Sequence, residues 1–154
     1  MRSLVASITI LLSISLSIAQ SPEPKLIAEF GNVGCEDWLG RMDLFLDELS
    51  NSKDRSGVVI FYEGNYINRS KRPNPLVAPV IGEGNMRANF MRQYFAHRRL
   101  DMSRIIFVSG GFRNEHLIEL WSVIPGGKYP KPRPTRESIK YRKGVPSESY
   151  DSCP

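Results

Sequence analysis

The chain holds 154 residues with a formal net charge of +5, two cysteines and two histidines. That length suits one domain rather than several, and His97 and His116 stand single and far apart, so neither a zinc site nor any other metal or cofactor is expected. Residues 20–124 carry 13 basic and 13 acidic side chains, whereas residues 125–154 carry 7 and 3, so the positive excess of the body of the chain lies in its C-terminal stretch.

At the N-terminus, Arg2 precedes an apolar run from Leu4 to Ile18 interrupted only by Ser and Thr, and Ser17-Ile18-Ala19 offers small residues at the two positions a signal peptidase reads. The pattern predicts a secretory signal over residues 1–19, cut between Ala19 and Gln20. A membrane anchor would need about 20 predominantly apolar residues, so export into a periplasmic or extracellular space is expected, with no transmembrane segment after cleavage. Cys35 and Cys153 remain in a compartment where disulfides persist. One bridge between them would tie the C-terminal tail to the first helix and contribute about 4–5 kcal/mol in the chain-entropy view. Two unrelated thiols, or a tail cysteine pairing between chains, are the alternatives.

Lys25 to Val33 alternates Leu26, Ala28 and Phe30 with Lys25, Ile27 and Glu29, which predicts a half-buried strand. From Cys35 to Leu49, Trp38, Leu39, Met42, Phe45, Leu46 and Leu49 recur at three- and four-residue spacing and predict a helix, with Glu36 and Asp37 in the first turn where its dipole favours negative charge. Ser56 to Tyr62 is a continuous β-branched and aromatic run suited to a central strand. Glu63 to Gly84 shows no period, contains three prolines and the basic cluster Arg69, Lys71 and Arg72, and predicts a long loop, a feature that is often functional. Asn85 to Arg98 predicts a second helix through Met86, Phe90, Met91, Tyr94 and Phe95. Arg104 to Val108 predicts a third strand, ended by Ser109-Gly110-Gly111, and Leu117 to Ile124 a fourth. The expectation is an α+β domain over residues 20–124, its two helices packed on one face of a four-stranded mixed sheet. Residues 125–154, rich in Pro, Lys, Arg and Ser and poor in aliphatics, predict a basic flexible tail.

The order β-α-β-α-β-β, the Arg87-Ala88 pair near the start of the second helix, Tyr94-Phe95 near its end, and the connector LDMSRI before an apolar strand and a glycine pair resemble the C-terminal OmpA-like domain of bacterial envelope proteins. The resemblance implies that fold, and it implies peptidoglycan association in which an aspartate and an arginine hold the diaminopimelate of the stem peptide. Arg87 falls at the family's arginine. No Asp lies between Asp54 and Asp101, so Glu63 or Glu83 would have to replace the aspartate. The family's closing Asn-Arg-Arg is replaced by His116-Leu117-Ile118, and Arg99 stands where a left-handed glycine is usual.

Arg87, Glu83 and Glu63 are therefore the candidate ligand residues, against the plainer reading of Arg87 as a solvated arginine at a helix start. The carboxylates Glu36, Asp37, Asp43, Asp47 and Glu48 form the polar side of an amphipathic helix rather than a catalytic pair. Gly82-Glu83-Gly84 opens a helix but lacks the further glycines and lysine of a phosphate loop. No nucleophile with a base can be assembled, so no enzyme activity is expected. The tail would either contact an anionic envelope polymer or lipid head groups, or serve only as a solvated terminus; nucleic acid is not an expected partner of an exported protein. The sequon Asn68-Arg69-Ser70 matters only in a eukaryotic secretory pathway. The expected function is a non-catalytic envelope protein bound to peptidoglycan, or alternatively a secreted protein-interaction module that has lost that site.

Overall fold

The structure, a computed structural model, describes residues 22–68 and 72–146. The expected signal segment, Arg69 and Lys71 of the basic cluster, and Cys153 lie outside the described residues. The elements are β1 (Lys25–Phe30), α1 (Cys35–Asn51), β2 (Ser56–Ile67), β3 (Leu76–Val77), α2 (Glu83–His97), a 3-10 turn (Met102–Arg104), β4 (Ile105–Glu115) and β5 (Leu117–Val123). Among the described residues this is an α+β architecture with two helices and five strands, not four. The additional strand arises inside the expected loop, because Glu63 to Ile67 continues β2 and Tyr66 and Ile67 pair with Val77 and Leu76 of β3. No helix among the described residues is long and apolar enough to cross a membrane.

β5 lies between β1 and β2 and is antiparallel to both, while β4 runs parallel to β2 on its other edge. The period of two in β2 sends Val59 to one face and Val58, Ile60 and Tyr62 to the other. On the Val59 face, Met42, Phe45, Leu46 and Leu49 of α1 and Met91 and Phe95 of α2 close a core with Ala28, Phe30, Ile105, Ile118 and Leu120. The rings of Phe45 and Phe95 meet at 5.5 Å, and each such side chain contributes about 1.5–3 kcal/mol when fully buried. Two apolar residues depart from the expected inward faces. Leu26 is exposed because a bulge between Leu26 and Ala28 shifts the alternation of β1. Phe90 is 37% exposed because α2 turns Ala88, Met91 and Phe95 inward, leaving Phe90 against Trp38 at 5.3 Å.

β4 also runs further than expected, through the glycine pair to Glu115. Its ladder with β2 pairs Phe61 with Ser109 and Tyr62 with Gly111, so Gly110 is the extra residue of a bulge. A Cβ on Gly110 would stand 2.5 Å from the Tyr62 ring, which is why only glycine lets the strand pass that aromatic. The connector before β4 places Arg99 at φ 61, the left-handed conformation expected there. Arg104 then reaches back to α1, donating from Nη2 to the carbonyls of Leu49, Ser52 and Arg55 at 2.8, 2.8 and 2.6 Å. Those contacts supply donors and positive charge at a helix end whose own last turn has no basic residue.

β4 and β5 flank opposite edges of β2, yet His116 alone joins them. The chain therefore crosses over β2 in a single residue. It does so at Gly64, where an added Cβ would lie 2.3 Å from the Glu115 carbonyl carbon and 2.6 Å from the His116 nitrogen. The His116 N–H donates to the Asn65 carbonyl at 3.0 Å and anchors the crossing.

The segment after β5, expected to be flexible, makes defined contacts through residue 142. The Arg133 N–H donates to the Tyr62 hydroxyl at 3.0 Å, and Thr135 and Arg136 N–H donate to the Phe112 carbonyl at 3.0 and 3.1 Å. Arg136 also bonds Asn114, and Lys128 pairs with Glu23. Proline lacks a backbone donor, so this strap depends on a few intervening N–H groups and on side-chain arms.

Gly64→Ala is expected to destabilise the protein by about 2–3 kcal/mol and lower the thermal midpoint by about 10 °C, because the clash is with backbone. Gly40→Ala, where nothing lies within 4 Å of the new methyl, is expected to raise the midpoint slightly, since alanine is about 1 kcal/mol the better helix former. Thermal unfolding followed by circular dichroism distinguishes the two.

Candidate functional site

Where the chain crosses Gly64, α2 begins above it, and the three candidate residues converge. Gly82 at φ 86 turns the chain into α2, so that Glu83 occupies its first position and Arg87 lies one turn later on the same side. Glu63 lies on β2 beneath them. Its carboxylate packs against Gly84, where a Cβ would meet Oε1 at 2.8 Å. Glu63, Glu83 and Arg87 line one small pocket with Gly64, Pro79 and His116, and it admits about 20 Å³, the space of one water molecule.

The arginine is committed within the protein. Arg87 Nη2 donates to Glu83 Oε1 at 3.0 Å, and the two side chains are 9% and 5% exposed. Glu83 Oε2 accepts the Val80 N–H at 2.9 Å, so both carboxylate oxygens are occupied. The guanidinium also lies over the Tyr66 ring, 4.7 Å from its centroid, a cation–π arrangement. A carboxylate at the first position of a helix is further favoured by the dipole. The plainer reading of Arg87 as a solvated arginine is corrected: it is enclosed by a carboxylate and a ring.

Two groups that sequence reasoning did not single out complete the site. Burial, and after it the neighbouring Arg87 charge, hold the His116 imidazole down to a pKa of about 3, and its Nδ1 is buried without a hydrogen-bond partner. Tyr141 of the strap donates its hydroxyl to Glu63 Oε2 at 2.6 Å, and burial followed by that carboxylate pushes the phenol up to about 12. Arg142 follows, donating from Nη2 to the Tyr66 hydroxyl at 2.6 Å and from Nε to the Ala78 carbonyl at 3.1 Å. The strap thus fixes two of the groups around the pocket, Glu63 and Tyr66. Only His116 is noted in the sequence, as a lone histidine just before the last expected strand; its burial follows from β4 running on to Glu115.

No family model, curated protein or solved structure matches the chain.

Among the described residues no cluster of three or more His, Cys, Asp or Glu could hold a metal ion. Cys35, at the first position of α1, is not a free thiol. A second polar cluster occupies the opposite sheet face. Fully buried Glu119 accepts the Trp121 indole N–H at 2.9 Å and lies 3.4 Å from Arg133 and 3.7 Å from Arg113, whose guanidinium stacks on Tyr62 at 4.2 Å. This arrangement docks the strap on the sheet.

Glu83→Ala removes the buried carboxylate that Arg87 and the Val80 N–H share, and is expected to cost about 3–5 kcal/mol in denaturant unfolding; a loss below about 1 kcal/mol would show that the pair is solvated. The His116 ring stays neutral to about pH 3 in the folded chain and takes its proton near 6.5 when unfolded. The unfolded state therefore binds more protons between those values, so this contribution is complete above 6.5 and declines as pH falls through the window. Stability is expected to be lower at pH 5 than at pH 7, with the difference reduced in His116→Asn; an unchanged difference would assign it to other groups.

Proposed function

We propose that the protein is an exported, non-catalytic interaction module of the cell envelope, built on an OmpA-like topology and without a stem-peptide site at Arg87. The observation that carries this reading is the Arg87–Glu83 pair, 3.0 Å apart and almost entirely enclosed. A ligand carboxylate would have to displace Glu83 from both the guanidinium and the Val80 N–H, which strands a buried charge. The apolar run at the N-terminus supports export, and the pairing of β1 with β5, β5 with β2 and β2 with β4 supports the topology.

A second reading, peptidoglycan association, is favoured by one observation: Glu63, Glu83 and Arg87 gather in one pocket at the start of α2. In that reading Arg87 takes the carboxylate of the stem peptide and the two glutamates take its ammonium group, after the pair has opened. Co-sedimentation of the mature protein with purified peptidoglycan sacculi separates the two. The module reading expects no salt-resistant pelleting. Salt-resistant pelleting that disappears in Arg87→Ala would replace it with the peptidoglycan reading.

A further inference from the structure

The two most exposed large apolar side chains of the described residues, Val145 at 83% and Ile81 at 73%, are distant in sequence. The strap brings their two chain segments together. Val80 forms a parallel bridge with Arg142, and the Arg142 N–H donates to the Pro79 carbonyl at 3.0 Å. Gly144 approaches Val80 with its Cβ position 3.4 Å from Cγ2, and Gly82 approaches the Pro146 ring at 3.7 Å. Ile81 lies between Val80 and Gly82, and Val145 between Gly144 and Pro146, so two adjacent chain segments present both side chains at one corner.

That corner is cationic. Lys140 and Lys143 are exposed on the same strap segment, and neither takes part in any hydrogen bond or ion pair of the described residues. Glu137 is the single acidic residue between 125 and 146. Of the carboxylates at the neighbouring pocket, Glu83 is paired with Arg87 and also accepts the Val80 N–H, and Glu63 accepts from Tyr141. Among the described residues no ion pair engages either lysine.

We infer that this corner is a contact site for an anionic lipid bilayer, with Ile81 and Val145 entering the interface and Lys140 and Lys143 on the head groups. A soluble polyanion would use the lysines but has no place for two apolar side chains held out in water, whereas a bilayer interface accommodates both. Each lysine near an anionic surface contributes about a fivefold factor in affinity. Two aliphatic side chains and two lysines give weak, reversible and salt-sensitive binding rather than an anchor. This surface is separate from the Arg87 pocket, and its use does not depend on whether that pocket binds anything.

The test is vesicle co-sedimentation of the full mature chain with phosphatidylcholine vesicles and with mixed phosphatidylcholine–phosphatidylglycerol vesicles. Binding is expected only to the anionic vesicles, weakened at least tenfold by Ile81→Ser with Val145→Ser, and at least tenfold by Lys140→Gln with Lys143→Gln. All four side chains are exposed, and an unchanged thermal midpoint in each variant confirms that the fold is retained. Absence of binding, equal binding to neutral vesicles, or undiminished binding of the Ile81/Val145 variant would overturn the inference. So would equally tight retention on soluble polyphosphate, unaffected by the apolar substitutions, which would assign the corner to a charged polymer.

Discussion

The architecture depends on a single backbone crossing. His116 alone carries the chain from one edge of β2 to the other, a span that ordinary connections cover with several residues. The crossing is possible because Gly64 has no side chain beneath it. From it follow the antiparallel seating of β5, the parallel seating of β4, and the central place of β2. It also delivers His116 beneath the start of α2, against Arg87. The fold and the pocket therefore share one local constraint.

Around that crossing, polar groups are satisfied internally rather than held open. Glu83 divides its two oxygens between a guanidinium and a backbone N–H, and Glu63 accepts from the strap. An enclosed ion pair is weak evidence for extra stability, because desolvation offsets much of the attraction. Its more definite effect is to fix the orientation of α2 against β2, since neither charge can leave without stranding the other. A neutral His116 fits the same logic: burial penalises its charged form, and Arg87 beside it would repel a second cation.

Much of the secondary structure was readable because it follows local rules. The helical spacing of Met42, Phe45, Leu46 and Leu49 matches the buried face of α1, and the connector at Arg99 takes the left-handed conformation expected of it. Failures arose where distant contacts overruled local pattern. Glu63 to Ile67 reads as loop because polar residues interrupt it, yet the ladder with β4 and the pairing with β3 hold it extended. The glycine pair at 110 and 111 reads as a stop, although Gly110 serves as a bulge under Tyr62. Glu63, Glu83 and Arg87 are grouped by the family resemblance, and the structure sets them around one pocket. Their mutual occupation was not foreseen, because spacing reveals that Glu83 and Arg87 share a helix face but not that Val80 and Tyr66 enclose them. The strap was opaque for the same reason: its composition lacks aliphatics, and its contacts lie up to 105 residues away in sequence.

The two tryptophans occupy opposite sides of the sheet, and this gives the molecule a built-in optical asymmetry. Trp38 packs among Phe90 and Tyr94 on the helical side, while Trp121 donates its indole N–H to buried Glu119 on the side crossed by the strap. Indole emission responds to the polarity and charge around the ring, so the two chromophores sense different halves of the protein. A loosening of the strap would alter the surroundings of Trp121 and leave those of Trp38 intact, whereas separation of the helices would do the reverse. The protein thus carries separate internal reporters for its two layers.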